Sequence, residues 1–253
     1  MFKINFSKII SPDFALGRFL VRARLPIDLL WALIRRPSLG SLKQALMIVR
    51  LKPNYSMVKT ASFFLAAKQI KRINEQRVVG DIVECGCWNG GYSAFLARVN
   101  QDSCNSLVRE SWLFDSFEGL PAPTAQDGQK EQSDYFEGWN LGSQEKVHRA
   151  FNLLAVKSQP LIIKGFFECT LQGSSLPATI AFIHIDGDWY ESVKLCLEKF
   201  VSRVVVGGVI IVDDYFYWPG AKRAVDEFTE AHASDIALIE FSRSGNNVTI
   251  YKR

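Results

Sequence analysis

Residues 180–215 read IAFIHIDGDWYESVKLCLEKFVSRVVVGGVIIVDDY, and this stretch decides the fold. Its first apolar run stops at the acids Asp186 and Asp188, and its second stops at Asp213 and Asp214. Near-continuous apolar runs are typical of strands that are buried on both faces of a parallel sheet. The residues between the runs have helical spacing, so the stretch predicts a strand-helix-strand unit.

The two carboxylate pairs of this unit are expected at one edge of the sheet. Parallel strands joined by a helical crossover point the same way, and open α/β sheets bind ligands outside the carboxyl ends of their strands. Four carboxylates at one place repel one another unless a cation neutralises them. Oxygen ligands with little sulfur or imidazole nearby favour Mg²⁺, Ca²⁺ or Mn²⁺ over Zn²⁺. The spacing therefore predicts a divalent-metal site.

Two ordinary structural roles compete with the metal site. Asp188 and Glu191 have the spacing of a capping box, in which Asp188 is the N-cap of the following helix. A DGD triplet alone is also common in turns. The second acid pair favours the metal site, because two adjacent acids directly after a core strand are costly to hold together without a partner.

Length and composition predict one globular domain with a basic extension. The chain has 253 residues, 48% hydrophobic and 22% charged, enough to bury one sizeable core. We assign residues 1–52 to a helical N-terminal extension and residues 53–253 to the main domain. Residues 1–50 carry nine Lys and Arg against two Asp, a net charge of +7, so the remainder carries −3 of the overall +4. A mildly acidic body argues against nucleic acid as its ligand.

The N-terminal extension contains no predicted membrane span. Its apolar stretch at residues 25–34 is too short to cross a bilayer and contains Pro26 and Asp28. As a basic amphipathic segment it is compatible with peripheral contact to an anionic membrane surface. A lid on the body or the arm of a homodimer is favoured over membrane contact, because basic faces are often merely solvated.

The five cysteines predict a reducing, cytoplasmic environment. Cys85, Cys169 and Cys196 lie in or beside apolar runs, where buried free thiols are expected. Cys85 and Cys87 lack the two-residue spacer of redox and zinc motifs, so no chemical role is assigned to them.

A glycine-bearing loop follows the first strand of the main domain. Residues 80–91, GDIVECGCWNGG, indicate a short strand, a loop and the start of a helix. The glycines allow close backbone approach, and the amides at the helix start suit an anionic or polar ligand group. The spacing is not GxGxxG, which disfavours a dinucleotide fold of the dehydrogenase type. An acid followed by such a loop is instead typical of class I S-adenosylmethionine methyltransferases.

Three later segments are expected beside this loop. Asp115 ends a predicted strand, where an acid accepts hydrogen bonds from ribose hydroxyls, although it also has the position of a turn cap with Ser116. Residues 121–139 are polar, contain Pro and Gly, and are long enough to form a functional lid. Phe166 follows the third predicted strand and is either an adenine contact or a core residue.

The end of the chain completes the predicted fold. Ser143 is expected to cap one helix and Pro219 to open another, and residues 236–251 read as a hairpin. We therefore predict an α/β fold. Its sheet is doubly wound and mostly parallel, of the class I methyltransferase type, with a C-terminal antiparallel hairpin and a helical N-terminal extension.

Six ordered blocks together resemble the macrocin O-methyltransferase family, magnesium-dependent sugar O-methyltransferases that act on glycosylated natural products. The blocks span roughly residues 53–228 and read YSMV, GDIVECGCWNGG, LFDSFEGLP, KGFFECTL, HIDGDWYES and GGVIIVDDY. The first fifty residues are not covered by the resemblance.

The resemblance implies roles for individual residues. Asp186, Asp213 and Asp214 would be metal ligands and Asp188 the general base, although Asp186 and Asp188 lie near both roles. The cofactors implied are S-adenosyl-L-methionine and Mg²⁺ or another hard divalent cation. The residues expected to bind S-adenosylmethionine are Glu84, Gly86, Trp88, Gly90, Ser93, Asp115, Ser116 and Phe166.

The expected function is S-adenosylmethionine- and metal-dependent O-methylation of a sugar hydroxyl on a small-molecule or glycan acceptor. Two alternatives stay open. One is a catechol-type enzyme that methylates an aromatic diol. The other is a non-catalytic protein that keeps the fold and docks through its basic N terminus to a membrane or a glycan-assembly complex.

Overall fold

The computed structural model describes residues 25–30, 33–34, 38–103, 108–173 and 176–253. Residues 1–24 lie outside the described residues, so the division at residue 52 stays a prediction. Residues 25–30 are helical, and helix α1 spans Leu39–Leu51. The oxygen of Ser38 caps α1 by accepting a hydrogen bond from the backbone N–H of Ser41 at 3.0 Å.

Seven strands in the described part of the chain form one sheet. In chain order they are β1 Asp81–Cys85, β2 Ser111–Asp115, β3 Leu161–Lys164, β4 Ile180–Ile185, β5 Val204–Val212, β6 Ile236–Ser242 and β7 Asn247–Lys252. Their order across the sheet is β3-β2-β1-β4-β5-β7-β6. Strands β1 to β5 are parallel, whereas β7 runs antiparallel between β5 and β6. The predicted mostly parallel sheet with a C-terminal hairpin is confirmed.

Helices cover both faces of the sheet. After α1 they are α2 Thr60–Glu75, α3 Gly91–Ser103, α4 Gln129–Asp134, α5 Gln144–Leu153, α6 Phe167–Thr170, α7 Tyr190–Phe200 and α8 Pro219–Ala231, followed by a 3₁₀ turn at Ala233–Asp235. Ser143 caps α5 through the N–H of Lys146 at 3.4 Å, and Pro219 is the first residue of α8, both as predicted. The predicted loop at 121–139 contains α4.

The core consists of two apolar layers separated by the sheet. Ile82, Phe182 and Ile211 point to one layer, with α1, α2, α3 and α5, while Ile183 and Val212 point to the other, with α7 and α8. Alternate residues of a strand face opposite sides, so strands without polar residues are buried on both faces. All six residues of β4 are buried, as expected for the centre of the sheet.

The capping box that competed with the metal site for Asp188 is absent at the start of α7. The N-cap residue is Trp189, and no side chain at that position caps the helix. The backbone N–H of Tyr190 instead donates to the Oδ1 atom of Asp127, at 2.6 Å, from a distant loop. The side chain of Asp188 therefore does not cap α7.

The prediction for the cysteines is partly wrong. Cys85 and Cys196 are buried free thiols, but Cys169 is exposed, because it lies on the short surface helix α6 that contributes no buried residue. Cys104 lies outside the described residues. Among the described helices, none has the combination of length and apolar character that a membrane crossing requires.

Candidate active site

The two acid pairs lie side by side at the carboxyl edge of the sheet. Asp186 follows β4 and donates its backbone N–H to the carbonyl of Cys85 at 2.8 Å, while Asp213 follows β5 and donates to the carbonyl of Ile185 at 2.9 Å. Both acids thus continue the parallel ladder by one residue. This is the edge at which the sequence predicted the four aspartates.

The carboxylates form two overlapping groups. In one group, oxygens of Asp186, Asp188 and Asp214 lie within 4.8 Å of one another. In the other group, a ring nitrogen of His184 and oxygens of Asp186 and Asp213 also lie within 4.8 Å of one another. Asp186 belongs to both groups and lies at the centre of the cluster.

Two of the four aspartates have unusual backbone conformations. Asp188 has φ 56° and Asp214 has φ 58°. Both values lie in the left-handed region, which residues other than Gly, Asn and Asp rarely adopt. Asp188 is the third residue after β4 and Asp214 the second after β5, and the left-handed turn changes the direction of the chain there. Strained backbone of this kind clusters at functional sites.

Burial and mutual repulsion disfavour the charged form of the cluster. Burial, followed by the charges of Asp213 and Asp188, raises the pKa of Asp186 well above its usual value. Burial and the same kind of repulsion from Asp213 raise the pKa of Asp214. Burial also raises the pKa of Asp188, although hydrogen bonds from Asp214 and Trp218 oppose that rise. A bound cation would reverse the direction of these shifts.

A buried histidine lies directly beneath the acids. His184 is fully buried on β4, and its Nδ1 atom is 3.0 Å from Oε1 of Glu84 on the neighbouring strand β1. The second oxygen of Glu84 accepts a hydrogen bond from the hydroxyl of Ser93. Burial alone would lower the pKa of His184, but Asp213 and Glu84 outweigh it and raise the pKa to about 10.

Two buried polar atoms between the histidine and the acids have no hydrogen-bond partner. They are Nε2 of His184 and Oδ1 of Asp213. Nε2 lies 3.8 Å from the other oxygen of Asp213, which is too long for a hydrogen bond. Unsatisfied buried polar atoms of this kind call for an explanation such as an ion or a water molecule.

Side chains from distant parts of the chain hold the remaining acids. Nε1 of Trp218 donates to Oδ1 of Asp188 at 2.7 Å. The side-chain amide of Asn246 donates to Oδ1 of Asp214. Asn246 reaches this position because β7 pairs with β5, which places the turn before β7 beside the residue that follows β5.

The glycine loop passes very close to the acid cluster. Gly86 has φ 85°, and a Cβ atom there would overlap the carbonyl oxygen of Asp186. The next turn of this loop places Trp88 at φ 47°. Its backbone N–H donates to Oδ2 of Asp115 at 2.8 Å, so Asp115 ties the ends of β1 and β2 together.

Asp115 makes a turn-cap contact, which is one of the two roles that the sequence offered for it. Its Oδ1 atom accepts a hydrogen bond from the N–H of Phe117 at 2.7 Å. Burial raises the pKa of Asp115 to about 6, while the bonds from Phe117 and Trp88 oppose the rise. The carboxylate also lines the cavity beside the acids.

A cavity of about 440 Å³ opens above the sheet edge. Its walls include all four aspartates together with Gly86, Trp88, Asp115, Trp139, Tyr217 and Trp218. A smaller cavity of about 50 Å³ shares Gly86 and Asp115 with it and is lined further by Ser116 and Phe166. The two cavities adjoin at the strand ends.

Three residues expected to bind the cofactor lie behind the cavities instead of in their walls. Glu84 and Ser93 are buried in the hydrogen-bonded pair beneath the acids. Gly90 has φ 73°, and a Cβ atom there would overlap Val147, so Gly90 allows α3 and α5 to pack closely. Their roles in cofactor binding stay predictions.

The loop at 121–139 closes one side of the cavity and is anchored to α7. The buried carboxylate of Asp127 accepts hydrogen bonds from the backbone of Thr124 at 2.8 Å and of Tyr190 at 2.6 Å. Nε1 of Trp189 donates to the carbonyl of Pro121 at 2.9 Å. Trp139 at the end of the loop makes edge contacts with Trp189 and Trp218 at 6.1 and 6.2 Å.

Several residues of the site were not predicted from the sequence. Asn246 was assigned only to a hairpin turn, and Asp127 only to a polar loop. His184 carried a detectable signal, because it is the one polar residue in an otherwise apolar strand and precedes Asp186 by two positions on the same face. Asn246 and Asp127 had no such local signal, because their partners lie 32 and 63 residues away.

The residues present suit a hard divalent cation and an S-adenosyl group. The acid cluster offers carboxylate oxygens with one unsatisfied buried atom, which is the donor set that hard cations prefer. Next to it, the loop at Gly86 has no space for a side chain and leaves room for a ligand beside Asp115.

Comparisons with known proteins agree with this geometry. The family model described as Macrocin-O-methyltransferase (TylF) matches residues 49–246. A demethyldecarbamoylnovobiocin O-methyltransferase of Streptomyces niveus is 34% identical over 172 residues, covering 66% of this chain and 65% of the relative. This chain therefore spans slightly less than two thirds of that relative. A mycinamicin III 3''-O-methyltransferase of Micromonospora griseorubida is 30% identical, covering 66% of this chain and 67% of the relative.

A solved structure shares the fold. The O-methyltransferase NovP aligns with a TM-score of 0.69 and 28% identity, covering 78% of this chain and 82% of that chain.

Proposed function

The chain belongs to the macrocin O-methyltransferase family, and we propose that it transfers the methyl group of S-adenosylmethionine to a sugar hydroxyl with the help of a divalent cation. The observation that carries the proposal is the shared cavity of about 440 Å³. One wall of it holds four aspartates, and another holds the glycine loop and Asp115. Such a cavity would hold a methyl donor and a metal-bound acceptor side by side.

Asp186, Asp213 and Asp214 are the proposed cation ligands. The partnerless oxygen of Asp213 and the central place of Asp186 in both carboxylate groups support this choice. When bound, a hard divalent cation acts as a Lewis acid that lowers the pKa of a coordinated hydroxyl and orients it. Asn246 supports the site by fixing the carboxylate of Asp214.

Asp188 is the proposed general base. Trp218 holds its Oδ1 atom by a hydrogen bond and so orients the carboxylate that would accept the proton of an acceptor hydroxyl. The left-handed backbone at Asp188 turns this residue toward the cavity that Asp186 also lines.

The cofactor is proposed to lie across the ends of β1 and β2. Gly86 permits close approach of the methionine part, Asp115 would accept hydrogen bonds from the ribose, and Ser116 and Phe166 border the small cavity proposed for the adenine. The sulfonium of S-adenosylmethionine supplies the reactive methyl group, so the protein's part is to bind and align it.

The acceptor is proposed to be a sugar on a natural product or glycan. Trp139, Tyr217 and Trp218 line the cavity beside the acids and offer aromatic faces against which a sugar ring can pack. The relative from Micromonospora griseorubida is named for methylation at a 3'' position. The same aromatic walls would accommodate a catechol, so an aromatic diol stays the second candidate acceptor.

The experiment compares Asp213→Asn and Asp188→Asn with the wild-type protein. Both variants should lose methyl transfer, by about 10²–10⁴-fold for the general base, while each still binds S-adenosylhomocysteine in calorimetry. EDTA should abolish wild-type turnover, and Mg²⁺ or Mn²⁺ should restore it. Asp235→Asn, a surface acid paired with Lys252, is the matched control and should behave as wild type.

Specific results would contradict each part of the proposal. Full turnover in EDTA would remove the cation from the reaction. Faster turnover of catechols than of any glycoside in an acceptor panel would move the enzyme to the aromatic class. Absence of any calorimetric signal with S-adenosylhomocysteine would favour a non-catalytic protein of this fold.

A further inference from the structure

Helix α1 presents an apolar face to solvent. Its inner face, which includes Ile48 and Leu51, is buried in the core. Its outer face carries four exposed apolar side chains, with exposed fractions of 87% for Leu39, 47% for Leu42, 58% for Leu46 and 49% for Val49. A surface helix normally places polar side chains on its outer face. Helix α1 instead carries apolar side chains on part of its outer face as well as on its buried face.

These four side chains form a narrow stripe. At 3.6 residues per turn, positions 39, 42, 46 and 49 fall within about 80° of the helix circumference. The exposed cations Lys43 and Arg50 lie along one border of that stripe, where Lys43 also pairs with Asp102 at 2.7 Å. The stripe therefore combines an apolar surface with a basic margin.

A second set of exposed apolar residues lies just before α1. Ile27 and Leu30, in the helical residues 25–30, are 58% and 60% exposed, and Ile34 is 61% exposed. Seven of the seventeen large hydrophobic side chains that are exposed in the described residues thus fall between positions 27 and 49. Single exposed apolar residues are ordinary, but a concentration of this kind marks an interaction surface.

Charge indicates the chemistry of the partner. Residues 1–50 carry a net charge of +7, whereas the rest of the chain carries −3. A second copy docked on the same face would bring two such segments together, and their like charges would repel. An anionic bilayer offers an acyl boundary for the apolar stripe and headgroup charge for its basic margin.

We propose that the outer face of α1, with residues 27–34, docks on an anionic lipid surface. Most of this face precedes residue 49, where the family match begins, so the surface belongs to the part of the chain outside the shared enzyme domain. The catalytic cavity lies at the carboxyl edge of the sheet and contains no residue of α1. Because no residue of α1 lines the cavity, docking through α1 does not use the residues of the cavity wall.

Vesicle flotation of the full chain tests the proposal. The wild-type protein should float with phosphatidylcholine vesicles that contain phosphatidylglycerol, should not float with pure phosphatidylcholine, and should be released by high salt. Leu42→Ser/Leu46→Ser should weaken flotation by about tenfold or more, because it removes apolar surface from the stripe. Leu153→Ser/Leu161→Ser replaces two exposed leucines elsewhere and should float like wild type.

Thermal unfolding and light scattering complete the test. Unchanged unfolding temperatures of both double variants exclude misfolding as the cause of a difference. The proposal is overturned if the wild type fails to float with anionic vesicles or if both double variants float equally. It is also overturned if the stripe variant converts a dimer into a monomer while the wild type does not float, because the face then binds a second copy.

Discussion

His184 is a fully buried polar residue with acidic side chains on two sides. It lies in the central strand with no exposed surface, between Glu84 on one side and the acid cluster on the other. A polar side chain in such a position is stabilised only if its hydrogen bonds are satisfied. Glu84 satisfies Nδ1, whereas Nε2 faces Asp213 without a bond. We therefore expect His184, whose Nε2 atom lies 3.8 Å from Oδ2 of Asp213, to be a positioning residue for this proposed cation ligand.

Replacing His184 should weaken cation binding more than it weakens the fold. His184→Asn keeps a donor for Glu84 but cannot reach Asp213, so Mn²⁺ affinity measured by electron paramagnetic resonance should fall about tenfold or more. His184→Gln has a longer side chain that reaches toward the Nε2 position and should recover part of the affinity.

Thermal unfolding separates this role from a purely structural one. If both variants lose stability while their Mn²⁺ affinity equals that of the wild type, His184 only fills the core and does not position Asp213.

The loop at 121–139 and helix α7 act as one element because of a single carboxylate. The first backbone N–H groups of a helix need partners, and α7 obtains one from Asp127 in place of a local cap. The negative charge of Asp127 also lies at the positive end of the helix. One buried side chain thus joins the wall of the cavity to the helix that follows the DGD triplet.

Asp127→Ala should loosen this wall. The change leaves the N–H of Tyr190 without its partner, and hydrogen bonds to charged groups contribute about 1.5–3 kcal/mol, so urea unfolding should show a loss of about that size. Limited proteolysis should cut residues 121–139 faster than in the wild type.

Ser133→Ala is the control on the same loop. Ser133 is exposed and bonds only to the carbonyl of Lys130, so its loss should change stability by less than about 0.5 kcal/mol. Equal proteolysis of the two variants would show that Asp127 does not anchor the loop.

Gathering four acids at one edge of the sheet lowers the free energy of unfolding of the whole molecule when the acids are ionised. The folded pKa values of Asp186 and Asp214 are raised, so their contribution to stability is fully present only at low pH and is lost as the pH rises through the raised pKa. A cation that binds the folded form only would recover this loss by mass action, by about 2.7 kcal/mol at one hundred times its dissociation constant.

Asp186→Asn should therefore stabilise the metal-free protein. In EDTA at pH 8 its unfolding temperature is expected to exceed that of the wild type, and the difference should shrink as the pH is lowered toward 4. Added Mg²⁺ or Mn²⁺ should raise the unfolding temperature of the wild type more than that of the variant.

Calorimetric scans at several pH values with EDTA provide the measurement. An Asp186→Asn variant that is less stable than the wild type at pH 8 in EDTA would show that the ionised cluster is not a source of strain. Glu230→Gln, at an exposed acid on α8, serves as a control for the general effect of removing a negative charge.

The pattern of neighbouring residues was sufficient to predict the sheet and the aspartates at the carboxyl ends of its strands. Apolar runs that end in Asp186 and Asp213 predicted parallel strands with acids at their tips, because strand periodicity and the direction of a helical crossover follow from neighbouring residues. The motifs also predicted the family and the C-terminal hairpin, and both are confirmed. The assigned roles of individual site residues stay predictions.

The partners of these acids followed only from the three-dimensional packing. Glu84 meets His184 across 100 residues, Asp127 caps α7 across 63, and Asn246 reaches Asp214 because β7 pairs with β5. Strand register and loop path bring such pairs together, and neither is encoded in the spacing of nearby residues. The capping box at Asp188 failed for the same reason, since a carboxylate from a distant loop already occupied the start of the helix.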